Sequence, residues 1–248
     1  MISLNKAATL CIVGLVTVCV HAADESAIYE AAVAAPDRPN SDKGRDESRR
    51  PAEILEFMRL KPGMTAVEFG AGGGYTTELV ARVVGPEGRV FAQALSASRT
   101  SDDRLPNVVA LEKHLLWEAR DKLHDAGLAD GQADRVLIFF AVHDMYLNDR
   151  IDKQRLYRDI LALLRPGGYL VILDNAAEAD SGLRDTNSTH RIGELFVREE
   201  IEKAGFEFSA ESDVLRNPKD KLDEPWNRPA PYRQPGFQDR FAYRFVKP

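Results

Sequence analysis

The chain has 248 residues, of which 44% are hydrophobic and 29% are charged, and its formal net charge is −6. These values are typical of one α/β domain with short appendages. The acidic balance and the scattered basic residues argue against nucleic acid or an anionic membrane as a partner. Both cysteines, Cys11 and Cys19, lie in the first apolar run. If that run is removed, the chain has neither a disulfide framework nor a thiolate metal site.

Residues 1–22 are predicted to be a secretion signal. Lys6 supplies positive charge, residues 7–20 are small or apolar, and Val20-His21-Ala22 fits the small-x-small cleavage pattern. The apolar run is shorter than the ~20 residues that a membrane-spanning helix needs. We therefore expect export to the periplasm, cleavage after Ala22 or Ala23, and no stable membrane insertion afterwards. An uncleaved N-terminal anchor is the alternative.

After the signal, the pattern predicts a linker over 23–47, with room for a short helix at Ser26–Ala35, and one domain over 48–248. In the domain, apolar periodicity predicts helices at Arg49–Leu60, Tyr75–Val84, Asp152–Leu164 and Glu194–Ala204. Strands are predicted at Thr65–Phe69, Arg89–Gln93, Asn107–Leu111, Asp134–Phe140, Tyr169–Leu173, Phe206–Ser209 and Asp239–Val246. The last strand alternates like an antiparallel edge strand. Alternating strands and helices predict a doubly wound, mostly parallel sheet with ligands at the carboxyl ends of its strands.

The first predicted strand runs directly into a glycine-rich loop, Gly70-Ala71-Gly72-Gly73-Gly74, and then into a helix. Glycines allow positive φ and a close approach of a ligand to the backbone, and the helix start offers free N–H groups. This pattern predicts a nucleotide site; a tight turn without a ligand is the alternative. A dinucleotide fingerprint needs glycine where Tyr75 stands, and the Gly-Lys-Ser/Thr of a phosphate-binding loop is absent.

The run Glu68-Phe69-Gly70-Ala71-Gly72-Gly73-Gly74 resembles motif I of class I S-adenosylmethionine-dependent methyltransferases. Lys61-Pro62-Gly63-Met64 and Leu164-Arg165-Pro166-Gly167-Gly168 are also similar to that superfamily. The resemblance implies a Rossmann-like α/β fold, with a seven-stranded, mostly parallel sheet and an antiparallel C-terminal strand. It implies S-adenosyl-L-methionine as the cofactor. The expected cofactor-binding residues are Glu68, Gly70, Ala71, Gly72, Gly74, Tyr75, Gln93 and His143.

A narrower resemblance is to a group of predicted, often exported bacterial methyltransferases. It rests on four segments: 141–146, 181–186, 189–191 and 211–218. One feature departs from the superfamily, whose members usually carry an acid at the end of strand two to hold the ribose. Here that stretch has no carboxylate, and Gln93 offers only a neutral acceptor, which binds more weakly than an ionised group.

The candidate catalytic residues follow the fourth and fifth predicted strands. His143 titrates in the useful range and is the preferred base, with Asp144 orienting it or lining the site. A wall of the cofactor or substrate pocket is the alternative for His143. Asp174 ends the fifth strand, and His190 lies in a long polar loop, a setting that favours function. Because His143, Asp174 and His190 lack a characteristic ligand spacing, no metal site is predicted.

Three functions are compatible with these patterns. The preferred one is methyl transfer to a small-molecule oxygen or carbon acceptor, because the Asn/Asp-Pro-Pro-Tyr/Phe signature for planar nitrogens is absent after strand four. The second is an exported, non-catalytic or cofactor-sensing domain that retains the fold. The third, a nicotinamide-dependent oxidoreductase, is disfavoured by Tyr75 and by the missing ribose acid. The acceptor and the oligomeric state have no readable signal in the sequence.

Overall fold

The computed structural model describes residues 25–100, 102–111, 118–225 and 238–248. Its strands are β1 Thr65–Phe69, β2 Arg89–Gln93, β3 Val108–Leu111, β4 Ala133–Phe139, β5 Leu164–Asn175, β6 Glu207–Ser212 and β7 Arg240–Val246. Its helices are α1 25–33, α2 Asn40–Lys43, α3 Asp46–Arg49, α4 Pro51–Met58, α5 Tyr75–Val84, α6 Ala97–Thr100, α7 Ala119–Asp125, α8 Val142–Tyr146, α9 Lys153–Leu163, α10 Thr186–Thr189 and α11 Glu194–Lys203. Within the described residues, no helix is both long and apolar enough to cross a membrane.

The strands form one seven-stranded sheet in the order β3-β2-β1-β4-β5-β7-β6. β1 to β5 are parallel, and β7 is antiparallel to both β5 and β6. Two apolar clusters cover the two faces of this sheet. The predicted Rossmann-like, doubly wound architecture with an antiparallel C-terminal strand is confirmed. The switch in strand order between β1 and β4 opens the crevice in which ligands of such sheets bind.

The prediction that the last strand lies at the edge of the sheet is wrong. β7 lies between β5 and β6, and its residues from Phe241 to Phe245 are all buried. The alternation that suggested an edge includes Arg244, whose guanidinium lies 5.2 Å from the ring centroid of Phe57 and 4.9 Å from that of Tyr169. The charged side chain is therefore buried against aromatic rings rather than hydrated, and β6 forms the edge.

Several element boundaries are as predicted. β1, α5 and β2 have the expected bounds, because buried strand residues and the glycine at each end of α5 delimit them clearly. β5 is longer than expected and includes the predicted turn at 165–168. Gly167 N–H donates to Lys247 O, and Lys247 N–H donates to Gly168 O. Pairing with the end of the chain thus extends the strand through the Pro-Gly-Gly sequence.

The predicted signal and the first two residues of the predicted linker, 1–24, lie outside the described residues. From residue 25 onward the linker packs on the domain, and the short helix expected at Ser26–Ala35 is present as α1. Residues 25–33 form helix α1, where Tyr29 is buried and donates from its hydroxyl to Leu60 O at 2.8 Å. The Asp46 carboxylate pairs with the guanidinium of Arg38 and accepts from the hydroxyl of Tyr75 at 2.7 Å. Although many residues of this segment are exposed, these contacts of Tyr29 and Asp46 attach it to the domain.

Glu68 is a buried carboxyl group within β1, facing α5. Its Oε2 accepts from the hydroxyl of Thr77 at 2.6 Å. Burial raises the pKa of Glu68 to about 7, against opposing effects of the Thr77 hydrogen bond and the nearby Arg49 cation. Because desolvation penalises the charged form of an acid, the folded chain holds this proton more tightly than the unfolded chain does.

We predict that Glu68 makes stability fall as the pH rises from about 4.5 to about 7. In that window the folded state binds more protons than the unfolded state, so the slope is negative and totals about 3 kcal/mol. Urea unfolding of Glu68→Gln, which keeps an oxygen for Thr77, is expected to lack this fall and to be more stable than wild type at the upper end. Parallel pH profiles of wild type and variant would contradict the prediction.

Candidate active site

The glycine loop is fixed between the ends of β2 and β4. Gly70, Gly72 and Gly74 have φ values of 74°, 52° and 75°. Gly70 N–H donates to Gln93 Oε1 at 3.0 Å, and the next N–H along the chain donates to Gln93 O at 2.9 Å. A Cβ on Gly70 would lie 2.9 Å from the Cβ of Ala141. The loop therefore depends on glycine both for its dihedrals and for its approach to the end of β4.

A crevice of about 170 Å³ lies beside this loop. It is lined by the loop backbone and by side chains from α3, α5, the segment before α3 and the end of β4: Arg45, Arg49, Glu68, Gly70, Ala71, Gly72, Gly73, Tyr75, Thr76, Phe139 and Phe140. Two arginines and one buried glutamate thus line the same crevice. The Tyr75 hydroxyl is held by Asp46, so its ring, not its hydroxyl, faces the crevice lining.

Arg49 is the more distinctive of the two arginines. Its guanidinium carbon lies 4.7 Å from the ring centroid of Tyr75 and 5.2 Å from that of Phe140. Burial, together with the neighbouring Arg45 cation, lowers the pKa of Arg49 below its usual value. In the described part of the chain, Arg49 has no salt bridge and no side-chain hydrogen bond, so it offers a rigid, unsatisfied donor set to an anion.

These residues fit the amino-acid end of S-adenosyl-L-methionine. Its α-carboxylate matches the guanidinium groups of Arg45 and Arg49, and its ammonium group matches the carboxyl group of Glu68. Aromatic faces at Phe139 and Phe140 suit a sulfonium cation. Ribose recognition differs from the superfamily pattern, because the buried Gln93 amide oxygen already holds the Gly70 N–H.

His143 and Asp174 form a buried pair where β4 and β5 end. The Nδ1 atom of His143 lies 2.8 Å from Asp174 Oδ1, and the backbone N–H of His143 donates to Oδ2 at 3.0 Å. Asn175 N–H donates to the same carboxylate at 2.8 Å. Because the Asp174 carboxylate can only accept, Nδ1 of His143 carries the proton. In the neutral imidazole, Nε2 then carries the lone pair. Burial lowers the pKa of His143, but the Asp174 carboxylate outweighs it and raises the pKa above its usual value.

The other two predicted catalytic residues lie on the Nε2 side of His143. Asp144 Oδ1 is 3.4 Å from His143 Nε2 and 3.6 Å from His190 Nδ1. The two imidazole rings meet edge to face, with centroids 5.6 Å apart. His190 has a φ of 52°, which turns the chain back towards α8 after α10. The side chain of Asp144 is 60% exposed, whereas that of His143 is fully buried.

The structure thus brings the four predicted catalytic residues together, with one change of role. Asp174, not Asp144, orients the imidazole of His143. Of the predicted cofactor residues, five line the crevice: Glu68, Gly70, Ala71, Gly72 and Tyr75. Gly74, Gln93 and His143 are not part of its lining. Asp174 lies behind His143 and is not grouped with His190, so the three residues whose spacing was considered for a metal do not form one donor set.

Sequence reasoning missed Arg45 and Arg49. Both lie in or next to a charged segment whose composition favoured a linker. In such a segment, no local pattern separates a charged residue that lines a site from one that is exposed to solvent. The four-residue spacing of Arg45 and Arg49 was the one sequence feature that could have indicated a shared role. In a helical turn, this spacing places both side chains on the same side. The Asp46 contact with Tyr75, which docks this segment on α5, could not be inferred from spacing.

The sequence is similar to those of several known methyltransferases. The sequence model of the protein-L-isoaspartate(D-aspartate) O-methyltransferase family matches residues 46–124. Over 118 residues, the chain is 28% identical to an arsenite methyltransferase of Halobacterium salinarum, covering 48% of this chain and 29% of that protein. Over 167 residues, it is 26% identical to the ubiquinone/menaquinone biosynthesis C-methyltransferase UbiE of Vibrio cholerae, covering 58% and 56%. The chain therefore spans less than two thirds of these relatives.

The fold is also that of solved methyltransferases. The geranyl diphosphate C-methyltransferase of Streptomyces coelicolor A3(2), crystallised with Mg²⁺, geranyl diphosphate and S-adenosyl-L-homocysteine, superposes with a TM-score of 0.58 at 15% identity and covers 88% of each chain. At that identity the match concerns architecture. The chain thus has the fold of class I S-adenosylmethionine-dependent methyltransferases, and across the glycine loop its sequence is similar to a methyltransferase family.

Proposed function

We propose that the chain is an S-adenosylmethionine-dependent methyltransferase that acts on an oxygen or carbon atom of a small molecule. The observation that carries this proposal is the crevice that Arg49 and Glu68 line together with the backbone of the glycine loop. A zwitterionic amino-acid moiety has the charge distribution that complements such a pair. The methyltransferase relatives support the same cofactor and reaction. When bound, the cofactor supplies an electrophilic methyl group on sulfur.

In this proposal, the chain holds the cofactor through Arg49, Glu68 and the loop backbone, and it positions a proton acceptor beside the acceptor molecule. His143 takes the proton at Nε2, because Asp174 holds Nδ1–H and stabilises the imidazolium cation. Asp144 partly covers Nε2, and its exposed side chain is free to rotate when an acceptor enters. Removal of a proton from an oxygen or carbon acid makes it a better nucleophile for the in-line displacement.

The alternative of a non-catalytic domain receives no specific support from these contacts. It arose from the missing carboxylate at the end of β2 and from the predicted export signal. Gln93 replaces that carboxylate and is engaged in holding Gly70, which accounts for a buried amide at this position. The residue at the end of β2 therefore has a structural role, which is to hold the glycine loop.

We predict that Gly70→Ala weakens binding of S-adenosyl-L-homocysteine at least about tenfold, because the new Cβ would push the loop away from Ala141. Isothermal titration calorimetry of the full chain measures the Kd. The matched control is Gly127→Ala: Gly127 has a φ of +91° with no atom within 4 Å of a Cβ. Gly127→Ala carries the same strain of a left-handed alanine, ~1–2 kcal/mol, but its Cβ meets no neighbouring atom. It therefore separates backbone strain from the contact with Ala141.

A second variant in the same titration separates charge from loop shape. Arg49→Met retains the apolar part of the side chain and removes the guanidinium group. Loss of one charge-assisted hydrogen bond, worth about 1.5–3 kcal/mol, is expected to weaken binding about tenfold to a hundredfold. Arg155→Met, on the exposed face of α9, is the control. If both Gly70→Ala and Arg49→Met leave the affinity unchanged, the proposal that the cofactor binds in this crevice is wrong.

The catalytic role of His143 is tested by the transfer of a labelled methyl group from S-adenosyl-L-methionine into the small-molecule fraction of a cell extract. We predict that His143→Gln lowers turnover by about 10²–10⁴-fold and leaves the cofactor Kd within about twofold, as expected for a lost general base. His124→Gln, at an exposed histidine paired with Asp130, is expected to retain full turnover. A His143→Gln variant that loses cofactor affinity instead would assign His143 to the cofactor wall.

We also propose that residues 1–22 direct export to the periplasm, as in the group of often exported bacterial methyltransferases that the sequence resembles. The full chain, expressed in a bacterium and fractionated, is expected to start at Ala23 or Asp24 by N-terminal sequencing. Ala22→Arg together with Ala23→Arg is expected to prevent cleavage, because small residues are needed at the cleavage site. A cytoplasmic protein that retains Met1 would overturn the proposal.

A further inference from the structure

Three donor atoms converge where α8 meets the loop after α10. His143 Nε2, Asp144 Oδ1 and His190 Nδ1 all lie within 4.8 Å of one another. We propose that these atoms bind one divalent transition-metal ion of the zinc class, with three protein ligands and one open position. This proposal goes beyond methyl transfer, and none of its steps requires the proposed cofactor or acceptor.

The separations suit a tetrahedral ion. Zn²⁺ bonds to imidazole nitrogen and carboxylate oxygen at about 2.0–2.1 Å, so two ligand atoms in a tetrahedral site lie about 3.3 Å apart. Asp144 Oδ1 lies 3.4 Å from His143 Nε2 and 3.6 Å from His190 Nδ1. Only small rotations of exposed groups are needed to complete the site, because the Asp144 side chain is 60% and the His190 side chain 31% exposed.

The surroundings of His143 are those of a metal ligand. His143 Nε2 is buried and has no hydrogen-bond partner among the residues that the structure describes, which is costly for a polar atom unless a ligand satisfies it. Its Nδ1 faces the Asp174 carboxylate at 2.8 Å. This carboxylate–histidine arrangement fixes the tautomer and the ring orientation of metal-binding histidines and increases the basicity of the ligating nitrogen.

The donor set selects the class of ion. Two imidazole nitrogens and one carboxylate oxygen suit Zn²⁺, Co²⁺, Ni²⁺, Cu²⁺ and Fe²⁺, whereas Mg²⁺ and Ca²⁺ require oxygen ligands in larger number. Three protein ligands would leave a fourth tetrahedral position, and the 60% exposure of the Asp144 side chain shows that solvent reaches one of the three ligands. A site with an open position binds exchangeable small ligands, in contrast to a closed structural zinc site.

A bound ion and the proposed base use the same lone pair of His143 Nε2, so the two states exclude each other. Saturating Zn²⁺ is therefore expected to abolish methyl transfer by the wild type, and a chelator is expected to restore it. Transfer that instead requires Zn²⁺ would support the metal site and overturn the base role of His143. The base role and the metal site are thereby tested separately.

The deciding experiment is a titration of the untagged, chelator-treated full chain with Co²⁺, whose tetrahedral complexes absorb visible light far more strongly than octahedral ones. We predict an intense band that saturates at one ion per chain and disappears on addition of Zn²⁺. His190→Asn, which keeps a residue tolerant of the positive φ at this position, and Asp144→Ala are each expected to weaken Co²⁺ binding at least about tenfold.

Two further variants control the titration. Asp174→Asn leaves all three ligands in place but removes the carboxylate behind His143, and a loss of about 10–100-fold in affinity is expected. His124→Gln removes an exposed histidine far from the donor set and is expected to match wild type in affinity and spectrum. The circular dichroism of each variant establishes that it is folded. No tetrahedral band in wild type, or equal binding in His190→Asn and wild type, would overturn the site.

Discussion

The contact between the glycine loop and the end of β4 determines the arrangement of the whole carboxyl edge of the sheet. Gly70 lies so near Ala141 that a Cβ has no room, and the chain immediately after Ala141 forms α8, which carries His143. On the other side of the loop, Gln93 of β2 holds the Gly70 N–H. The loop after β1 is thus held between the ends of β2 and β4. This arrangement determines the shape of the crevice and how far it lies from His143 and His190.

Burial at this edge gives charged groups their unusual properties. Glu68 is held near neutrality by desolvation, and Arg49 lies between aromatic rings without a hydrogen-bonded anion in the described part of the chain. Arg49 and Glu68 line one crevice, and within the described residues no hydrogen bond joins them, so the guanidinium group of Arg49 keeps its binding capacity for an anionic ligand. By contrast, Asp46 is fully engaged by Arg38 and Tyr75, so it docks the N-terminal segment and has no such capacity.

Much of the fold could be predicted from local pattern, but side-chain partnerships could not. The bounds of β1, α5 and β2 follow from apolar runs that end at glycine, because those signals are written in adjacent residues. The internal position of β7 follows from its pairing with β5 and β6, and the contacts that bury Arg244 are with Phe57 and Tyr169, which are distant in sequence. In the same way, the sequence indicated that His143, Asp174 and His190 follow strand ends, but only the packing of β4 against β5 decides that Asp174 lies behind the imidazole.

The burial of His143 Nε2 bears differently on the two chemical roles of this nitrogen. A base has to be reached by an acceptor molecule, so the carboxylate of Asp144 and the ring of His190 must first move aside. An ion needs only the space between the donor atoms, and the same two side chains then become its ligands rather than obstacles. Asp174 supports either role, because it fixes the tautomer without touching Nε2. Because Nε2 is covered, a metal ion can occupy the resting site with less movement of side chains than an acceptor molecule needs. Access of an acceptor requires Asp144 and His190 to move first.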